Sequence, residues 1–186
     1  SPMVSYQDKT LKAEGFAYVD SNFLNVFTLP LVAGNPATAL VHPESVVITK
    51  ETAKKYFGDA DPLGKVIEIK SWNKSFTITG IINEVPDASH FHFSFFASMS
   101  GLEEARQNSW MTSEFFTYLV LPVGYDYKKL EAKLPGVINK YLGPQLQQGM
   151  GMTLKEFREK GNDLGLHLQK LTDIHLKSDA TGELST

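Results

Sequence analysis

Ser45-Val46-Val47-Ile48-Thr49-Lys50-Glu51-Thr52-Ala53-Lys54-Lys55-Tyr56-Phe57-Gly58 is the stretch on which the fold reading turns. The run from Ser45 to Ile48 predicts a buried strand. Thr49 then offers a hydroxyl oxygen to the free N–H groups of a helix start. Ala53, Tyr56 and Phe57 recur at helical spacing, and Gly58 supplies the left-handed position that ends the helix. The result is a strand-helix unit with both punctuation marks present. Beyond it, Asp59-Ala60-Asp61-Pro62-Leu63-Gly64 is a turn. Val66–Ile69 and Phe76–Ile82 predict two strands joined as a hairpin around Asn73-Lys74.

Upstream, Leu11–Val19 predicts one strand with a bulge at Gly15. Asp20-Ser21 offers cap oxygens to a short helix carrying Phe23, Val26 and Phe27, which Pro30 stops. Gly34-Asn35-Pro36 is a turn opening a loop that runs to Pro43. Downstream, Pro86-Asp87 ends a strand, Phe91–Met99 is extended, Leu102–Arg106 is a helical turn, and Gln107–Glu114 is a connecting loop. Phe115–Leu121 and Leu164–Leu176 predict strands flanking a helix that Asp126 caps, with Tyr127, Leu130, Leu134, Ile138 and Tyr141 on one stripe. This is a β-α-β block. Pro135-Gly136 should kink or break that helix, Gly143–Met152 reads as a flexible link, and Thr153–Lys160 as a second short helix.

The 186 residues hold 42% apolar and 21% charged residues with a net charge of -3. A chain of that size hides roughly 70% of its unfolded surface and needs no staples. Disorder and a polycationic binder are excluded, and the dispersed lysines argue against nucleic acid. Zero cysteines exclude disulfides, thiolate metal sites and cysteine nucleophiles. No run approaches the ~18 apolar residues of a membrane span. Ser1-Pro2-Met3 opens on a polar segment with no leader, as expected of a fragment cut from a longer protein.

Catalytic and metal-binding signals are incomplete. Gly58, Gly64 and Lys65 imitate a phosphate-cradling loop, but five residues separate the glycines, Val66 stands where a magnesium-binding hydroxyl is needed, and the helix precedes the loop. His90 and His92, on one face if Phe91 lies in a strand, could share a metal with Asp87 or Glu84, which is still short of a site. Asp59 and Asp61 lack the further oxygens of a calcium hand. Ser100-Gly101 lacks the flanks of a nucleophile elbow, and Asp173/His175 and Asp87/His90 make no triad without contacts the sequence does not show. Among 12 Phe, 7 Tyr and 2 Trp, the concentration at Phe91, Phe93, Phe95 and Phe96 stands out. These rings either pack a core or, if Phe91, Phe93 and Phe95 share an uncovered strand face, present a ridge to a protein or ligand partner.

Several segments taken together resemble the extracytoplasmic domain of MacB-type, FtsX-like ABC transporter permeases. They are Tyr18-Val19-Asp20-Ser21-Asn22-Phe23-Leu24-Asn25-Val26-Phe27, Leu31-Val32-Ala33-Gly34-Asn35-Pro36, Ala53 through Phe57-Gly58-Asp59-Ala60-Asp61-Pro62-Leu63-Gly64-Lys65, Ile78-Thr79-Gly80-Ile81, and Leu171-Thr172-Asp173-Ile174-His175-Leu176. The Phe-Gly-Asp-x-Asp-Pro-Leu-Gly-Lys piece is the most specific. The resemblance implies an α+β domain of two lobes, a porter-like lobe from residues 1–20 and 105–186 and an inserted sabre-like lobe from 21–104. The family usually has a further strand-helix stretch ahead of Leu11–Val19, so the porter-like lobe is expected to lack part of its sheet.

The resemblance also implies a noncatalytic domain on the periplasmic side of the bacterial inner membrane, coupling ATP-driven motion of membrane helices to export or mechanotransmission. Asp20, Gly34, Asn35, Pro36, Phe57, Gly58, Asp61, Pro62, Gly64, Lys65, Gly80, Asp173 and His175 are then structural motif positions. No cofactor is implied in this domain, since ATP belongs to a separate cytoplasmic subunit or domain. The implied partners are the permease's own transmembrane helices, a second permease copy, the cytoplasmic ATPase and a periplasmic protein. An ectodomain recognising a peptide, lipid or lipoprotein is the alternative.

Overall fold

The computed structural model describes residues 1–112, 115–162 and 165–174. They fall into two units, Ser1–Gln107 and a second beginning at Asn108. The first unit is a sheet. Its strands are β1 (Met3–Tyr6), β2 (Lys9–Lys12), β3 (Phe16–Val19), β4 (Leu31–Gly34), β5 (Ser45–Thr49), β6 (Val66–Ile69), β7 (Lys74–Ile82) and β8 (Phe95–Ser98), with helices α1 (Phe23–Val26) and α2 (Lys50–Phe57). The strand order is β2-β1-β6-β7-β5-β8-β3, with β4 also paired to β7. β5 runs parallel to β7, and β3 parallel to β8; the other pairs are antiparallel.

β5 explains the arrangement. All five of its residues are buried, as a continuous apolar run requires when both sheet faces are covered. Val46 and Ile48 join one core with Tyr56, Phe57, Phe76, Ile78 and Phe95, and α2 lies on that side. Val47 points the other way into a second core with Leu24, Leu40, Ile82, Phe91 and Phe96, under α1 and the loop after β4. The predicted strand-helix unit is present as read: Thr49 Oγ1 accepts from the Thr52 N–H at 3.3 Å, and Gly58 takes φ 61°.

Leu11–Val19 is not one strand. Gly15, at φ 75°, breaks it, and a Cβ there would come within 2.5 Å of the His92 carbonyl oxygen. β2 therefore pairs at one edge of the sheet and β3 at the other. This also redraws the division into lobes. Residues 1–20 are part of the sheet of the 21–104 segment: Ser5 pairs with Glu68, and Phe16–Val19 pairs with Phe95–Ser98.

The second unit contains α3 (Tyr127–Glu131), α4 (Leu134–Met150) and α5 (Leu154–Glu159). The helix break falls ahead of Pro135, which sits in the first turn of α4 where its missing N–H costs nothing. The expected link at Gly143–Met152 is mostly the second half of α4, which carries Pro144 in its interior and ends at Gly151 with φ 66°. Ile138, Leu142 and Leu146 form the buried stripe, so Leu130, Leu134 and Tyr141 do not. Among the described residues the β-α-β block is absent: 115–121 and 165–170 form no ladder. Leu168 N–H instead donates to Glu131 Oε1 at 2.9 Å. Leu164, His175 and Leu176 lie outside the described residues.

Candidate functional site

Four of the motif positions, Gly34, Gly64, Lys65 and Gly80, meet along β7. Gly34 and Gly80 stand directly opposite each other in the β4–β7 pairing. Gly34 has φ 100°, and a Cβ on it would collide with the Thr79 carbonyl oxygen; a Cβ on Gly80 would lie 2.9 Å from Leu31 Cδ2 and 3.2 Å from Val47 Cγ2. Two strands approach here at a distance only glycine permits.

The turn after α2 is stapled to the same strand. Gly64 N–H donates to the Ile78 carbonyl at 2.8 Å, and Ile78 N–H donates to the Lys65 carbonyl at 2.9 Å. Asp61 Oδ1 accepts from Leu63 N–H at 3.0 Å, an Asx turn that sets the path over buried Pro62. Phe57 closes the underside, its ring centroid 4.4 Å from that of Tyr6. Asn35 Oδ1 makes a second Asx turn by accepting from Ala37 N–H at 3.0 Å, with Pro36 exposed beside it. The loop that follows is clipped down by hydroxyls. Thr79 donates to the Ala39 carbonyl, Ser98 to Leu40 and Ser100 to Val41.

Other positions lie apart. Asp20 caps α1 through its backbone carbonyl, which accepts from Phe23 N–H at 3.0 Å; the N-cap residue is Asn22, without a side-chain bond. Asp173 belongs to the second unit, in a 3-10 turn at Leu171–Asp173. His175 is outside the described residues.

The partner ridge is corrected by the structure. Phe91 is 4% and Phe95 1% exposed, and Phe93 is partly buried, stacked on Phe91 with centroids 5.6 Å apart. Only Phe95–Ser98 is strand, so Phe91, Phe93 and Phe95 share no strand face. Phe95 enters one core, and Phe91 and Phe93 pack in the other. His90 and His92 also part company, the first buried and the second exposed. Among the described residues no three His, Cys, Asp or Glu side chains gather as metal ligands. Glu84 instead accepts from the Glu51 N–H at 2.7 Å, at the start of α2. Ser100 spends its hydroxyl on the loop backbone.

An open cleft of about 260 Å³ lies between α2, β2 and the start of β8, lined by Lys55, Glu14, Tyr56 and Ser94 among others. Lys55 Nζ stands 2.9 Å from Glu14 and 3.1 Å from Glu51, and its hydrogen bonds to Glu14 and Glu51 raise its pKa. Burial pushes the Tyr56 phenol up to about 12. Both groups hold their protons at neutral pH, so neither serves as a base. Ser94 Oγ donates to the Glu14 carbonyl at 2.5 Å.

The Gly34–Gly80 pairing and the Glu84 cap escape sequence reading. Both depend on contacts between residues far apart in sequence, and a glycine on each of two apolar stretches is the only local trace of the first.

Fold and site together define a mixed α/β domain whose motif residues serve turns, strand approach and packing. The MacB-like periplasmic core domain family matches residues 1–137, and the chain belongs to that family, the periplasmic domains of MacB-like ABC transporter permeases. Its fold is similar to a domain of a permease protein from Porphyromonas gingivalis, with TM-score 0.66 and 22% identity over 75% of this chain. It is also similar to the periplasmic region of MacB from Actinobacillus actinomycetemcomitans, with TM-score 0.52 and 15% identity over 88% of this chain and 73% of that one. The extracellular domain of the ABC-type transporter YknZ from Gram-positive bacteria gives TM-score 0.44 and 18% identity, over 55% of this chain and 52% of that one. The chain spans 65% of the length of the Porphyromonas domain. No curated protein matches it in sequence. Among the described residues no helix is long and apolar enough to cross a membrane.

Proposed function

We propose that this chain is a noncatalytic, force-bearing module of its permease, coupling ATP-driven motion of the membrane helices to export or mechanotransmission in the cell envelope. The observation that supports this reading is the use of Gly34, Asp61, Gly64, Lys65 and Gly80 to bind the turn after α2, β4 and β7 into one stiff body. A reactive pocket would need a group freed for chemistry, whereas Gly34, Gly64 and Gly80 carry no side chain and Asp61 Oδ1 accepts from the Leu63 N–H. ATP is used on a separate cytoplasmic subunit or domain. The partners are the permease's own transmembrane helices, a second permease copy, that ATPase and a periplasmic protein. The ligand-binding alternative loses the residues that suggested it, since the Phe91–Phe95 rings are packed inside.

The test uses the intact permease with its ATPase. Gly34→Ala and Phe95→Ala, which loosen the sheet, should lower export or signalling while leaving ATP hydrolysis in place. Export at the wild-type rate with the sheet shown to be unfolded would contradict the proposal.

A further inference from the structure

The chain enters its second unit at Asn108 along a stretch with neither helix nor strand, 107–112. Two side chains of α4 grip it. Gln145 Oε1 accepts from the Trp110 N–H at 2.7 Å, and Gln145 Nε2 donates to the Asn108 carbonyl at 2.7 Å. One primary amide thereby satisfies an N–H and a C=O two residues apart, the pair of groups a neighbouring strand would engage. The Trp110 ring lies flat on Tyr141, with centroids 5.0 Å apart and planes at 10°. Tyr141 and Gln145 are four residues apart on α4, so both grips come from one face of the helix. Lys140 Nζ sits 5.0 Å from the Tyr141 ring centroid. The grips are shallow: Trp110 and Gln145 are half-buried, and Tyr141 is exposed.

We propose that Gln145 and the Trp110–Tyr141 stack form a latch that binds this connector to α4. Residues 108–110 and α4 then move as one body. Glutamine is the residue the geometry requires. A carboxylate would still accept from Trp110 but has nothing to donate to the Asn108 carbonyl, and alanine offers neither bond. The latch does not rest on the transport reading, because each readout below is taken on the chain alone.

The chain has no cysteine, so Ser109→Cys in the connector and Gln147→Cys on α4 give two unique spin-label sites. Amide exchange at Trp110 and the distance distribution between the labels are measured in Gln145→Ala, Tyr141→Ala and Gln145→Glu. Thr153→Ala, which breaks the α5 capping box in the same unit, serves as the control. The latch requires Trp110 exchange about tenfold faster in Gln145→Ala and a broader distance distribution in Gln145→Ala and Tyr141→Ala, with no broadening in the control. In Gln145→Glu, Trp110 should keep most of its protection. An unchanged distribution in Gln145→Ala, equal broadening in Thr153→Ala, or equal loss of Trp110 protection in Gln145→Glu and Gln145→Ala would each overturn it.

Discussion

Phe91–Ser98 and Phe115–Leu121 are both aromatic-rich stretches that open on phenylalanine, yet they end in opposite surroundings. Phe95 and Phe96 are 1% and 0% exposed, whereas Phe116 and Val120 are 53% and 73% exposed. The difference is pairing. β8 lies between β3 and β5 and is covered on both faces, while 115–121 has no ladder among the described residues. β-branched and aromatic residues favour a pleated, half-buried surface, but a neighbour must supply that surface. Alternation and composition identify a segment that can be a strand. Whether it becomes one is decided elsewhere in the chain.

This contrast is broken most severely in the first unit. Phe95→Ala should cost about 3–5 kcal/mol, the usual loss for emptying a buried aromatic position, and Phe116→Ala should stay within about 0.5 kcal/mol. Urea unfolding of the two variants checks both. Equal losses would erase the distinction between the segments.

Gly34→Ala tests whether the first unit's stiffness lies in its backbone approach. Its φ of 100° alone makes a side chain costly, by roughly 1–3 kcal/mol, measured by the same denaturation. Gly80→Ala should cost less, because the nearest atom it meets is the end of a flexible side chain, Leu31 Cδ2. In the second unit, Thr153→Ala should weaken α5 by about 1 kcal/mol. Faster amide exchange should appear in 154–159, with β5 and β7 unaffected. A comparably small effect at neutral pH, about 0.5 kcal/mol, belongs to Tyr56→Phe, which loses two long hydrogen bonds to the Val4 and Leu11 carbonyls, at 3.4 and 3.3 Å.

Tyr56→Phe also sharpens the comparison as pH climbs. Burial raises the Tyr56 pKa to about 12 from an unfolded value of 10.0, so the fold favours the neutral phenol. That contribution is whole below pH 10 and is lost as pH rises toward 12. Lys55, also raised, acts in the same direction. Thermal midpoints of the wild type should therefore fall faster than those of Tyr56→Phe across this range.

The parts of the fold legible in sequence are those fixed by neighbours in the chain. Thr49, the apolar face of α2 and Gly58 are local signals, and strand, helix and stop stand where they predict. The β6–β7 hairpin is legible for the same reason, with Asn73 at φ 51° closing it. The β1–β2 hairpin was not, because its turn uses Gln7 at φ 50° in place of a glycine or asparagine. Reading Gly143–Met152 as a flexible link cuts α4 short, although Ile138, Leu142 and Leu146 form one buried stripe that runs into it. The motif positions were legible as a set through the family resemblance. The meeting of Gly34, Gly64, Lys65 and Gly80 on β7 is not, since it depends on the register of strands far apart in sequence.

Residue-resolved amide hydrogen exchange of the whole chain tests the scaffold claim most directly. The Gly64 and Ile78 amides, stapled across the turn and β7, should exchange together with the β5 amides and only on global opening of the sheet, while the amides of 115–120 exchange near the rates of an open chain. Free exchange at Gly64 with β7 protected, or protection of 115–120 equal to that of β7, would contradict it.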